Sequence, residues 1–165
     1  MNMLRRSLVV ALCAVSTLAG LAGAPKVGEP FLNLSQQSLE GTLPDLKGKV
    51  VLVDFWASWC PPCRHSFPAL QEIYAKYKDQ GLVVLGISID ESKADMDGFL
   101  KKMKVEFPIV RDAKGTLAEK LDISGIPASF LLDRSGKLIA VHEGFGGDET
   151  KRQYIKEIEK ALAAK

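Results

Sequence analysis

Cys60-Pro61-Pro62-Cys63 carries the reactive side chains of this sequence. Two cysteines two residues apart, between a strand-like apolar run and a helix-like one, read as a dithiol that cycles with a disulfide. The spacing has a physical reason. If a helix opens at Cys60, the N–H groups of its first turn have no intrahelical partners and point at the sulfur. That positive helix end favours thiolate over thiol. Cys63 lies one turn further along the same face, within reach of a disulfide to Cys60.

Blander uses of the pair are weaker. A structural bridge across two residues closes a very small loop and removes little chain entropy. A zinc site takes four ligands, and only Cys13, His65 and His142 remain to complete one. No metal and no cofactor is expected. The acidic stretch Asp90-Glu91 and Asp95 to Asp97 has no recognisable metal-loop pattern and reads as caps and a solvated face.

The dithiol needs elements to hold it. Val50 to Trp56 is nearly all apolar, as in a strand buried on both faces. After Cys63, the spacing of Phe67, Leu70, Ile73, Tyr74 and Tyr77 predicts a helix ending near Gln80-Gly81. Leu82 to Ile89 is a second buried strand. Ser92 with Asp95 suggests a capped helix running to about Met103. Phe107 to Val110 reads as a short strand and Thr116 to Leu121 as a short helix. Ala128 to Leu132 and Leu138 to His142 flank the turn Asp133-Arg134-Ser135-Gly136, and Thr150 to Ala163 is a closing amphipathic helix. Upstream, Phe31 to Leu34 and Ser38 to Leu43 suggest a hairpin. The order implies an α/β domain, a central mixed sheet with helices on both faces. The dithiol then sits at the carboxyl end of a central strand, where open α/β sheets place their sites.

Residues 1–24 stand apart. Arg5 and Arg6 precede an uncharged apolar or small-residue run, Ser7 to Ala24, which is expected to be a signal peptide or an N-terminal membrane anchor. Residues 25–165 are expected to form one domain, with a likeness to known proteins from about Val27 to Ala163. Arg5 and Arg6 account for the whole net charge of +2, since no acidic residue precedes Glu29. The domain therefore has no basic footprint for nucleic acid. Both cysteines beyond residue 24 belong to the motif, which suits a redox protein in an oxidising compartment, periplasmic or otherwise extracytoplasmic.

Val53-Asp54-Phe55-Trp56-Ala57-Ser58-Trp59-Cys60-Pro61-Pro62-Cys63-Arg64 resembles the active-site segment of thioredoxin-fold proteins. Pro68 matches that family's helix-kinking proline, and Gly125-Ile126-Pro127 its cis-proline loop. The segment from Asp90 to Leu121 and the upstream hairpin resemble exported thiol–disulfide oxidoreductases of the TlpA/ResA type. The resemblance implies a thioredoxin-like three-layer sandwich. It makes Cys60 an exposed nucleophile toward substrate disulfides, Cys63 the resolving thiol and Cys60–Cys63 the redox disulfide. Pro127 is expected cis, with the Ile126 backbone, Pro61 and the exposed Trp59 facing substrate and Trp56 in the core. Asp54, in an apolar strand, matches the buried aspartate of thioredoxins. Burial raises a carboxyl pKa and would make it a proton acceptor near Cys63; a merely hydrogen-bonded aspartate is the alternative.

The resemblance further implies reduction of protein disulfides, re-reduction by a membrane thiol carrier, a setting in cytochrome c maturation or oxidase assembly, and a monomer. The chain departs from the narrower group at Ser66, where many members carry glutamate. His65 reads as solvated and His142 as structural. Two other functions compete. A peroxidase would place threonine or serine three residues before the reactive cysteine and proline four before that, where this chain has Ala57 and Val53. A copper chaperone using Cys60, Cys63 and His65 is the third.

Overall fold

The structure, a computed structural model, describes residues 24–164. Apart from Ala24, the expected export segment with Cys13 lies outside them. Five strands form a single sheet: β1 (Val50–Trp56), β2 (Leu82–Ser88), β3 (Ile109–Arg111), β4 (Ala128–Leu132) and β5 (Leu138–Glu143), in the spatial order β3-β2-β1-β4-β5. β1 pairs in parallel with β2 and β2 with β3, while β4 runs antiparallel to both β1 and β5. The central strand is β1, and all seven of its residues are buried. That is why its sequence is a continuous apolar run and does not alternate.

Four helices connect and cover the sheet: α1 (Pro61–Tyr77), α2 (Lys93–Met103), α3 (Thr116–Lys120) and α4 (Asp148–Ala163). Alternation along β1 divides the core in two. Leu52 and Trp56 pack with Phe67 and Leu70 of α1, Phe99 of α2 and Ile158 of α4. Val51, Val53 and Phe55 face the other way, onto Leu117 of α3 and onto Phe31 and Leu34 upstream of the sheet. The expected three layers and mixed sheet are present.

The upstream hairpin is not. Asn33 Oδ1 accepts the Ser35 N–H at 3.1 Å and curls Leu34–Gln36 into a 3₁₀ turn, so the two candidate strands cannot pair with each other. Each side of that turn instead bridges to the main sheet, Pro30 with Lys137 beside β5 and Glu40 with Arg111 of β3. α4 also begins two residues earlier than its apolar pattern suggests. Asp148 and Glu149 favour a helix's first turn electrostatically, and the Thr150 hydroxyl accepts the Gly146 N–H at 2.9 Å.

Candidate active site

β1 ends at Trp56 and α1 begins at Pro61, so the dithiol occupies the turn between a central strand and its helix. Cys60 is the N-cap, with extended backbone dihedrals, and prolines fill the first two helical positions. Prolines there lack only N–H groups that the helix could not use. Cys63, the first residue of the helix with a free N–H, donates it to Cys60 Sγ at 3.2 Å. Cys60 and Cys63 are joined in a disulfide, with their Cα atoms 5.3 Å apart. The helix-start reading of the motif thus matches the backbone. Pro68, inside α1, leaves the Arg64 carbonyl without its usual acceptor role in the helix.

Ile126–Pro127 is a cis peptide, as the loop's resemblance implies. The loop reaches the dithiol because Ala128, next in the chain, pairs with Phe55 near the end of β1. The Ile126 carbonyl oxygen lies 3.7 Å from Cys60 Sγ. A disulfide sulfur carries no hydrogen, so this is a contact; a reduced Cys60 thiol there has an acceptor in reach.

Exposure corrects one expectation. Cys60 is only 3% exposed, and Cys63 is fully buried. The carbonyl of Ile126 and the first turn of α1 cover the nucleophile candidate that the sequence left open to solvent. What stands exposed is Trp59, at 65%, with Pro61 and Pro62 beside it. Trp56 is in the core, edge-on to Phe67 at 4.7 Å between ring centroids. Ile126 is half-buried at the rim.

Shallow grooves run along both sides of this rim. One passes Trp59, Arg64, Phe99 and Lys102. The other passes Pro62, His65, Pro68, Phe145 and Lys151. His65 is exposed, as expected of a solvated side chain. Ser66 is buried and donates its hydroxyl to the Cys63 carbonyl at 3.0 Å, so the glutamate position of the narrower group is here a local helix contact.

Asp54 is fully buried, and strand alternation points it to the layer that contains Cys63, Leu52 and Trp56. Its Oδ1 accepts the Ser129 hydroxyl at 2.6 Å, while Oδ2 has no partner among the described residues. Burial pushes its pKa up to about 7, and the Ser129 hydrogen bond restrains that rise. A carboxyl held near neutrality can both take and release a proton at working pH.

Asp90 departs from the solvated face expected of its acidic stretch. It is 2% exposed, not a solvated acid. Its carboxylate accepts the Ser58 N–H at 3.0 Å, the Ser58 hydroxyl at 2.7 Å and the Ser88 hydroxyl at 2.8 Å. The turn before Cys60 is therefore tied to the end of β2. Nothing in the local sequence marks Ser129 or Tyr154. Only the β1–β4 register sets Ser129 opposite Asp54. His142 is structural as expected: Nε2 pairs with Glu157 at 2.7 Å, and its ring stands edge-on to Tyr154. Among the described residues no cluster of three or more His, Cys, Asp or Glu side chains is arranged to hold a metal ion.

The chain is similar to known proteins. The AhpC/TSA family matches residues 25–141. Thiol-disulfide oxidoreductase ResA of Bacillus thuringiensis subsp. konkukian is 33% identical over 136 residues, 81% of this chain and 79% of that protein. The Bacillus subtilis protein of the same name is 37% identical over 102 residues, 62% of this chain and 57% of its own length. Among solved structures, a putative thiol:disulfide interchange protein DsbE from Chlorobium tepidum superposes with a TM-score of 0.79 at 36% identity. It is covered completely, against 85% of this chain. StoA from Bacillus subtilis gives a TM-score of 0.58 at 30% identity over 66% of this chain and 84% of StoA. By these matches and by its dithiol at the start of α1, the chain belongs to the AhpC/TSA family, among the thioredoxin-fold thiol–disulfide oxidoreductases of the ResA type.

Proposed function

We propose that the chain reduces protein disulfides outside the cytoplasm, with Cys60 as nucleophile, Cys63 as resolving thiol and Asp54 as proton acceptor. The observation that carries this reading is the Cys60–Cys63 pair capping α1 against the Ile126 carbonyl, beside an exposed Trp59. In the reduced protein, the Cys60 thiolate attacks one sulfur of a substrate disulfide. A Cys60–substrate disulfide forms, and the other substrate sulfur leaves as a thiolate. Asp54 takes the Cys63 proton. The Cys63 thiolate then attacks Cys60 Sγ, forming the intramolecular disulfide and releasing the second substrate thiolate. Two electrons have passed to the substrate, whose thiolates take protons from water. A dithiol carrier in the membrane returns the chain to its reduced form by the same exchange in reverse.

Substrate would lie across the rim formed by Trp59, Pro61 and Ile126, pairing with the Ile126 backbone, while Pro127, itself buried, would hold that loop beside Cys60. The reductive direction rests on the prolines. Pro61 and Pro62 offer no N–H, so of the first three helical residues only Cys63 donates to the Cys60 sulfur. Fewer donors stabilise the thiolate less, which makes the disulfide a weaker oxidant. Export rests on the residues 1–24 pattern, and cytochrome c maturation or oxidase assembly is the setting proposed for the substrates.

Equilibrating the protein against glutathione tests the direction. A potential well below that of DsbA is expected, and one near −120 mV overturns the reductive reading. Cys63→Ser should accumulate a mixed disulfide with a model substrate, and Cys60→Ser should not. The family match gives the peroxidase reading one observation in its favour. Ala57, buried and without the expected hydroxyl, and Val53, where that pattern has proline, stand against it, and peroxide consumption at rates comparable to disulfide reduction would reinstate it.

A further inference from the structure

Asp54 is gripped at one oxygen through a chain of hydroxyls. The β1–β4 register puts Ser129 directly opposite Asp54, and the Ser129 hydroxyl donates to Asp54 Oδ1 at 2.6 Å. The same hydroxyl oxygen is 2.7 Å from the Tyr154 hydroxyl of α4. A serine hydroxyl has one hydrogen. While Ser129 gives it to the carboxylate, its oxygen must accept from Tyr154. Donation therefore runs from Tyr154 to Ser129 to Asp54. Tyr154 suits the donor end, because burial, and then the charge of Asp54, push its ionisation above the ordinary phenol range. Asp54 and Ser129 are fully buried and Tyr154 is 1% exposed, so water does not compete along the chain.

We propose that Ser129 and Tyr154 are positioning residues for the proton step, clamping Asp54 by Oδ1 so that Oδ2 is the atom that takes the Cys63 proton. The proposal rests on the reading of Asp54 as proton acceptor. Oδ2 is the free end of the carboxylate, with no partner among the described residues. A carboxylate fixed at one oxygen presents the other in one orientation, whereas an unfixed one turns about its χ2. Hydrogen bonds to the charged form also favour that form, and linked hydroxyls polarise one another. The chain thus opposes burial and keeps the carboxyl able to release its proton again.

Other ionisable groups reach this point. From α1 comes Cys63, which shares the layer. Behind Tyr154 stand Glu157 of α4 and His142 of β5, bonded to each other at 2.7 Å. β2 places Gly86 opposite Asp54 and contributes no ionisable group there. His142 touches the outer end of the chain, so His142→Gln serves as the control.

The test follows the Asp54 carboxyl itself by carbon-13 NMR titration of the full chain, with Asp54→Asn assigning the signal. The pH profile of disulfide reduction is measured alongside. Ser129→Ala should move the Asp54 titration up by about one pH unit, in keeping with the loss of one hydrogen bond to a charged group. The acid limb of the rate profile should move with it, giving roughly tenfold slower reduction below the limb. Tyr154→Phe should shift both in the same direction by less, and Ser129→Thr should restore both. His142→Gln should leave the Asp54 titration in place. An unmoved titration in folded Ser129→Ala and Tyr154→Phe overturns the proposal, as does a shift reproduced in full by His142→Gln. The underlying reading fails separately: Asp54→Asn would then reduce disulfides with the wild-type rate and profile, whatever the carboxyl titration shows.

Discussion

At the scale of single residues, the candidate site holds a carboxyl where it is unwelcome. An ionised carboxylate in a fully buried setting is disfavoured, and Asp54 responds with a pKa of about 7 in the folded chain against 3.8 in an unfolded one. The folded state therefore holds a proton that the unfolded state has released between those values. The contribution of Asp54 to stability is greatest below about pH 4 and falls as pH rises toward 7, beyond which its penalty is constant. Asp54→Asn removes that slope. The variant should be more stable than wild type at pH 8 by roughly a few kcal/mol, and about equal to it at pH 4. Urea unfolding of the oxidised proteins at the two pH values measures this. Parallel pH dependence in both proteins would mean that Asp54 is ionised at little cost. The same variant should reduce disulfides more slowly at neutral pH, so stability gained and rate lost would have one source.

Between elements, the dithiol turn is positioned from behind by β2. Asp90 accepts three hydrogen bonds from Ser58 and Ser88, and its carbonyl and that of Glu91 accept from Arg111 Nη1 at 3.2 and 2.6 Å. Asp90→Ala leaves the Ser58 N–H and both serine hydroxyls to find other partners. A loss of about 2–3 kcal/mol is expected, read from the urea midpoint, because buried donors without acceptors carry their full desolvation cost. Since Ser58 precedes Trp59 and Cys60, disulfide exchange by the folded variant should slow as well; unchanged exchange would confine Asp90 to a stabilising role. This connection shows where sequence reading stopped. Cys60, Cys63 and Asp54 were legible because spacing or a polar residue in an apolar strand marks them locally, and Pro127 because its loop resembles the cis-proline loop of thioredoxin-fold proteins. Asp90 looked like surface because Asp, Glu and Ser crowd around it in sequence, and only tertiary pairing with Ser58, 32 residues away, buries it. The apparent hairpin failed for a similar reason: Phe31 and Leu34 do face a core, but the bridges on either side of them run from Pro30 to Lys137 and from Glu40 to Arg111.

Across the whole molecule, residues ahead of β1 act as a strap over the sheet face opposite the dithiol helix. Its ends are held at both flanks. Near β5, the Phe31 N–H donates to the Gly136 carbonyl at 2.9 Å; at β3, Glu40 and Arg111 exchange two backbone hydrogen bonds of 2.8 Å. Glu40 Oε2 also receives the Arg111 guanidinium at 2.6 Å. These contacts occupy edge positions that would otherwise offer unpaired backbone groups to another chain. Between its ends the strap buries Phe31 against Phe130, at 5.4 Å between centroids, and Phe130 in turn meets Phe55 of the central strand edge-on. Phe31→Ala would open a cavity over that aromatic row. It should cost about 3 kcal/mol, near the lower end for a buried phenylalanine, because Phe31 keeps 9% exposure and the strap can settle inward. Phe31 packs on the layer of Val53 and Phe55, whereas Asp54, Cys63 and Trp56 lie on the other. The folded variant should therefore reduce disulfides at the wild-type rate, with only its urea midpoint lowered. A change in the pH profile of reduction would show that the strap's packing reaches through β1 to Asp54, and the two layers would no longer count as separate.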